Sequence, residues 1–186
     1  MRADAARRRA AVLRQARRLF AEVGEDVALE TIADAAEVGI ATLYRNFASR
    51  AALAEAVGLE ILDDLRAATD RAATDLPADP GRAWRTYVTD LVALELGALT
   101  PVLHAHLDGA IGDPLRDAQD AAMAAVDDLL VAVRAAGLAP DDLDALELVV
   151  ALGIVTRPQS EAVRRAAPQL VDRLVETLLA GLRARA

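Results

Sequence analysis

The 186-residue chain contains no cysteine, which excludes disulfides, thiolate zinc sites and cysteine nucleophiles. It contains no lysine either; all 21 basic residues are arginine, a bias we attribute to GC-rich coding and from which no function is drawn. Only five residues are aromatic, against 44 alanines and 28 leucines, and this excess of side chains unbranched at Cβ favours helix. Apolar–polar alternation, the mark of a half-buried strand, is hard to find. Charge interrupts every 18-residue window, so a bilayer-crossing helix is not expected, and the arginine-rich N-terminus lacks the apolar block of a secretory signal. The expected location is cytoplasmic, with no membrane partner. A Gly-x-Ser-x-Gly elbow, a phosphate-cradling glycine loop and a His-Glu-x-x-His array are all missing, so neither an enzyme nor a cofactor is expected.

What the chain does have is an uneven distribution of charge. Its net charge of -8 alone argues against a nucleic-acid binder, because phosphate contacts supply most of the affinity in such complexes. The first eighteen residues, however, hold Arg2, Arg7, Arg8, Arg9, Arg14, Arg17 and Arg18 against the single acid Asp4. Residues 1–50 carry net +2 and residues 51–186 net -10. A basic head on an acidic body points to a polyanion at one end.

The first helix is expected over residues 5–23, where Val12, Ala16, Leu19, Phe20 and Val23 recur at three- and four-residue steps and Gly24 follows the last of them. Two short helices, over 29–36 and 40–47, flank Glu37-Val38-Gly39, and a pair of two-turn helices joined in this way makes a helix-turn-helix. Ser49 reads as the N-cap of a long helix reaching residue 74, with Leu53, Val57, Ile61 and Leu65 spaced by four. After the punctuation of Leu76-Pro77-Ala78-Asp79-Pro80-Gly81, five further helices are expected over 81–96, 99–107, 114–136, 140–155 and 160–185. The fold class is therefore all-α, with about nine helices.

Leu43 and Phe47 lie four apart and anchor the second short helix inward, which turns Thr42, Tyr44, Arg45 and Asn46 outward. A helix of this width fits the major groove, where arginine pairs with guanine and asparagine with adenine. The run Ile32-Ala33-Asp34-Ala35-Ala36, continuing through Val38-Gly39-Ile40-Ala41-Thr42-Leu43-Tyr44-Arg45-Asn46-Phe47 to Ser49-Arg50-Ala51-Ala52-Leu53, resembles the DNA-binding domain of TetR-family regulators over about residues 8–60. The resemblance implies a three-helix head, a divergent ligand-binding body, dimerisation through the last two helices, and repression relieved by a small molecule. It places Tyr44 on a phosphate, Ile40, Ala41 and Thr42 near base edges, and Arg50 as a phosphate ligand. Thr31 joins this DNA-facing set, and Arg7, Arg8 and Arg9 are read as phosphate tethers, with an ordinary solvated tail as the alternative. Two departures from the family pattern are Glu37, where glycine is usual at the sharp turn, and Ala28, where a serine or threonine cap is usual.

On this reading residues 1–48 form the DNA-binding domain and 49–186 the ligand-binding and dimerisation domain, of which 49–74 is a connecting helix. Trp84, Tyr87 and Met123 are candidates for a ligand cavity, with plain core packing as the alternative, and Leu91, Leu103, His104, Leu107, Val126 and Leu130 extend that set. His104 and His106 point about 200° apart on a helix and cannot share one ion, so no metal site is expected. The last two helices carry apolar stripes too wide for a lid. Leu146, Val150, Val163, Ala167, Leu170, Leu174 and Leu178 are expected to pair two copies through a four-helix bundle. The partners implied are double-stranded DNA with a near-palindromic operator, an unidentified small-molecule effector and a second copy of the chain. The alternatives are a helical ligand-binding protein that no longer reads DNA and a partner- or membrane-docking protein using the basic first helix.

Overall fold

The computed structural model describes residues 2–107 and 112–184, and among them every regular element is an α-helix. In chain order these are α1 (Arg2–Val23), α2 (Leu29–Ala35), α3 (Ile40–Asn46), α4 (Arg50–Asp75) and α5 (Pro80–Ala93), then α6 (Leu96–His106), α7 (Asp113–Ala135), α8 (Ala145–Val155), α9 (Glu161–Ala166) and α10 (Leu170–Ala184). The all-α reading holds, but the described helices number ten, because the expected C-terminal helix is two. Pro168 has no N–H to donate and forbids helical backbone at its predecessor, and Ala167 accordingly takes φ -139°, ψ 66° between α9 and α10. The helix expected to start at Pro140 begins five residues later. Asp144 is its cap, accepting the Glu147 N–H at 2.7 Å. At the other end of the chain the first helix starts three residues earlier than expected, at Arg2, and Arg7, Arg8 and Arg9 lie within it.

Helix ends follow local chemistry. Asp79 caps α5 by accepting the Arg82 N–H at 3.0 Å, with Pro80 in the first turn where a missing N–H costs nothing. Gly137 closes α7 at φ 66°, its N–H bonded to Arg134 C=O and that of Leu138 to Val133 C=O, the paired bonds of a Schellman cap. The same pair closes α2, from Glu37 to Asp34 and from Val38 to Ala33, but here Glu37 holds the left-handed position at φ 55°. No single described helix is long and apolar enough to cross a bilayer.

The chain divides into two compact units. The first comprises the described residues up to Ile61 together with those between Ala98 and Arg116. Its core joins Val12, Ala16 and Phe20 of α1, Ile32 of α2, Leu43 of α3, Leu53 and Val57 of α4, and Leu99 of α6. The second comprises Leu62–Gly97 and the described residues from Asp117 onward, and it is centred on Leu65, Tyr87, Leu91, Val126, Leu130, Leu148 and Leu152.

Within the second unit Thr69 lies buried, its hydroxyl donating to Leu65 C=O at 2.8 Å and standing 3.1 Å from the Tyr87 hydroxyl. Since threonine has one hydroxyl proton and Leu65 takes it, Tyr87 is the donor of the second bond. Burial pushes the Tyr87 phenol up from 10 to about 12. The unfolded chain therefore loses this proton first as pH rises. Stability from this group is whole below pH 10 and is lost toward pH 12, at no more than about 1.4 kcal/mol per pH unit. Lacking lysine and cysteine, the chain has few side chains competing for this window. Urea midpoints measured from pH 9 upward should fall for the wild type and stay flat for Tyr87→Phe; equal slopes would refute the assignment.

Candidate nucleic-acid interface

The first unit presents α3 by packing α1, α2 and α3 against one another. Leu43 is fully buried and Phe47 nearly so, which fixes the inner side of α3. The residues between them then face solvent by helical geometry. Tyr44 is 48% exposed, Arg45 and Ala41 are exposed, and Ile40, Thr42 and Asn46 are half-buried. Three of these side chains are already organised. The Arg45 guanidinium donates to Thr42 Oγ1 at 2.8 Å, and the Asn46 amide donates to Thr42 C=O at 2.7 Å. Both bonds are local and exposed enough to be exchanged for acceptors on a ligand. Thr31, on α2, is exposed beside this set in sequence.

The arginines of α1 differ among themselves. Arg7 pairs with Asp4, Arg8 is exposed, and the Arg9 guanidinium sits 5.1 Å above the Phe47 ring, a cation–π contact that ties α1 to the end of α3. Arg18 bonds Gln15 at 2.9 Å and Glu22 at 2.6 Å, so its charge is spent along its own helix.

Arg50 has a structural task that its position in the motif did not announce. Its guanidinium donates to Val27 C=O at 2.6 Å and Glu25 C=O at 3.3 Å, and it lies 3.4 Å from His106 Nε2. Arginine has no acceptor, so His106 accepts at Nε2 and carries its proton on Nδ1. The His106 ring packs in turn 5.4 Å from Phe20. Arg50 thus staples the α1–α2 loop to the start of α4. Neither loop carbonyls nor a histidine more than fifty positions away leave a signal in the sequence.

Glu37 and Ala28 mark the two weak points of this unit. Ala28 makes no side-chain cap to α2, as its methyl dictates. Glu37 is exposed at the α2–α3 turn in a backbone region that costs a side chain on the order of 1 kcal/mol. Glu37→Gly should therefore raise the unfolding free energy by about 1 kcal/mol, whereas Glu37→Ala, which removes the same charge but keeps the strain, should not. Thermal melts of the two variants check this, and equal stability would sink the strain argument.

The candidates for a ligand cavity are divided between the two units. Leu103, His104 and Leu107 belong to the first, where His104 is exposed. Trp84, Tyr87, Leu91, Val126 and Leu130 are buried in the second, and Met123 is half-buried there. The second unit holds a cavity of about 290 Å³ lined by Trp84 among others, and another of about 240 Å³ between α4 and α7, lined by Thr69, Asp70 and Asp128. Trp84 alone of the candidate set lines either. The candidates for pairing two copies lie mostly on the surface: Leu146, Val150, Val163, Ala167 and Leu174 are exposed, and Leu170 and Leu178 are half-buried. Ile154, 65% exposed, continues the α8 row.

An α-helical chain whose N-terminal unit holds a short helix by its apolar side and offers hydroxyl, guanidinium and amide groups outward is a helix-turn-helix DNA-binding regulator. Residues 12–57 match the family of bacterial regulatory proteins known as tetR, and residues 79–184 match the C-terminal domain of SbtR-like transcriptional regulators. Among solved structures, a TetR transcriptional regulator of Streptomyces coelicolor is 31% identical with TM-score 0.69, the match covering 94% of this chain and 98% of that one. The TetR transcription regulatory protein of Mycobacterium vanbaalenii is 34% identical with TM-score 0.62, covering 98% of each chain. No curated protein matches. The chain belongs to the TetR family of transcriptional regulators.

Proposed function

We propose that the protein is a repressor that binds a near-palindromic operator as a homodimer through α3 and is released from it by a small molecule acting on the second unit. The observation carrying the DNA reading is the two-sided character of α3, with Leu43 and Phe47 sealed inside while Tyr44 and Arg45 stay at the surface. Two copies would set their α3 helices in successive major grooves, roughly 34 Å apart. Tyr44 and Arg8 supply phosphate contacts, Ile40, Ala41, Thr42 and Asn46 face base edges, and Arg45 exchanges its Thr42 bond for guanine. Arg50 supports the reading indirectly, by holding the loop that precedes α2. Release by a ligand needs a two-state element with differential affinity of a few kcal/mol, and α4, continuous from Arg50 to Asp75, contributes residues to both units.

Operator fragments selected from the source genome provide the test. Binding followed by fluorescence anisotropy should weaken steeply as salt rises. Tyr44→Phe and Arg45→Ala should each lose about 1 to 3 kcal/mol of affinity, about 5- to 150-fold, with helicity unchanged. Glu37, an exposed carboxylate beside α3, favours a second reading in which the head no longer reads DNA. Flat or absent binding would establish that reading in place of the first.

A further inference from the structure

The 290 Å³ cavity lies within the second unit, between the first turns of α5 and the end of α10, and is lined by Gly81, Trp84, Arg85, Glu176, Leu179 and Arg183. Three features set it apart from a surface dent. Trp84 is only 3% exposed, so its ring forms a nearly dry wall of the cavity. Arg183 has no ion pair or hydrogen bond among the described residues, and its guanidinium reaches to within 3.9 Å of where a Cβ on Gly81 would stand. The local acids are already engaged: Glu176 pairs with Arg85, and Asp79 caps Arg82 N–H. The cavity therefore joins a cation with no partner among the described residues to an apolar wall of Trp84, Leu179 and Ala180.

We propose that this cavity binds a small organic carboxylate, its apolar body against Trp84 and Leu179 and its carboxylate on Arg183. A carboxylate accepts bidentately from a guanidinium. The volume sits at the small end of ligand pockets, which run from about 300 Å³ upward, so the occupant is of fragment size. The site also stays accessible in a dimer. Glu176, Ala180 and Arg183 lie on the side of α10 opposite Leu174 and Leu178, at about 100° per residue. The inference rests on the effector reading for its consequence on DNA, though not for binding itself.

Trp84 is the chain's single tryptophan, so its fluorescence reports on this cavity directly. Titration with benzoate and hexanoate should give a saturable change that benzamide and hexanamide do not. Arg183→Gln should weaken it about tenfold, the loss of one charge-assisted pair, and Leu179→Phe should abolish it by filling the space. Amides as effective as acids, no saturable change, or an Arg183→Gln protein that binds like wild type would each overturn the proposal. Operator binding measured alongside separates the two ideas. Carboxylates that bind at Trp84 and leave DNA affinity unchanged uphold the site and remove the effector role assigned to it, whereas release of DNA by other small molecules with no response at Trp84 removes the site and upholds the effector reading.

Discussion

Gly97→Ala is expected to cost at least about 3 kcal/mol of stability, more than the same change at any other described glycine. A Cβ at position 97 would stand 2.1 Å from Gly153 C=O oxygen, 2.6 Å from Arg157 N and 2.8 Å from Thr156 C. All three are backbone atoms, so no side chain can swing away, and the start of α6 must lift from the end of α8. That crossing is pinned by the Gly97 N–H on Thr156 Oγ1 at 3.3 Å, while the Thr156 hydroxyl donates to Leu152 C=O at 2.8 Å. Overpacking an adaptable core costs about 1 to 3 kcal/mol, and a rigid backbone places this site at or beyond the top of that range. Total stability is of the order of 5 to 15 kcal/mol, so a large fraction is at stake. Gly58→Ala is the control, since a Cβ there meets only side-chain tips, Leu115 Cδ1 at 3.1 Å and Leu103 Cδ1 at 3.8 Å, and a rotamer change relieves the closer one. Urea denaturation of the two variants decides the matter: if Gly97→Ala unfolds at the same urea concentration as Gly58→Ala, α6 and α8 do not meet as described.

The contrast between the two glycines shows what a sequence can reveal. Periodicity exposed α1, α4 and α7 to within a few residues, because each buries a stripe that repeats every three or four positions. The orientation of α3 was legible for the same reason, since Leu43 and Phe47 are its only large inward residues. The left-handed position of Glu37 was readable because the turn between two short helices demands it, and no side chain can evade that demand. What stayed hidden depends on distant partners. Gly97 resembles any helical glycine until α8 crosses it, Arg50 resembles a phosphate ligand until the carbonyls of Glu25 and Val27 appear beside it, and Tyr87 resembles a cavity wall until the Thr69 oxygen accepts its hydrogen bond. The break at Pro168 is different. Proline and its effect on Ala167 were in plain view, and the apolar stripe running across them outweighed a local rule that the chain obeys.

Val150→Glu is expected to leave the monomer folded and to raise the dimer dissociation constant at least about a hundredfold. Apart from Glu147, α8 is apolar all round. Such a helix belongs in a core. One side obeys, with Ala145, Leu148 and Leu152 buried against α5 and α10, yet Leu146, Val150 and Ile154 follow one another at four-residue steps with 62%, 49% and 65% of their surface exposed. Leu174 of α10 adds to the same exposed apolar set. Pairing this face with its symmetry copy yields a bundle of two helices from each chain and removes the set from water, at about 25 cal/mol per Å² of apolar area. Twofold symmetry then turns one substitution into two glutamates at the seam, each stripped of water with no arginine provided for it, and an unpaired buried charge costs several kcal/mol. On the isolated chain the same change falls on the surface, where effects stay within about 0.5 kcal/mol. Light scattering with size-exclusion chromatography should show monomers for Val150→Glu at concentrations where the wild type is dimeric, circular dichroism should show the same helicity, and operator affinity should collapse because the two α3 helices no longer bind as one unit. A Val150→Glu protein that remains a dimer and binds its operator normally would assign the exposed face of α8 to some other partner.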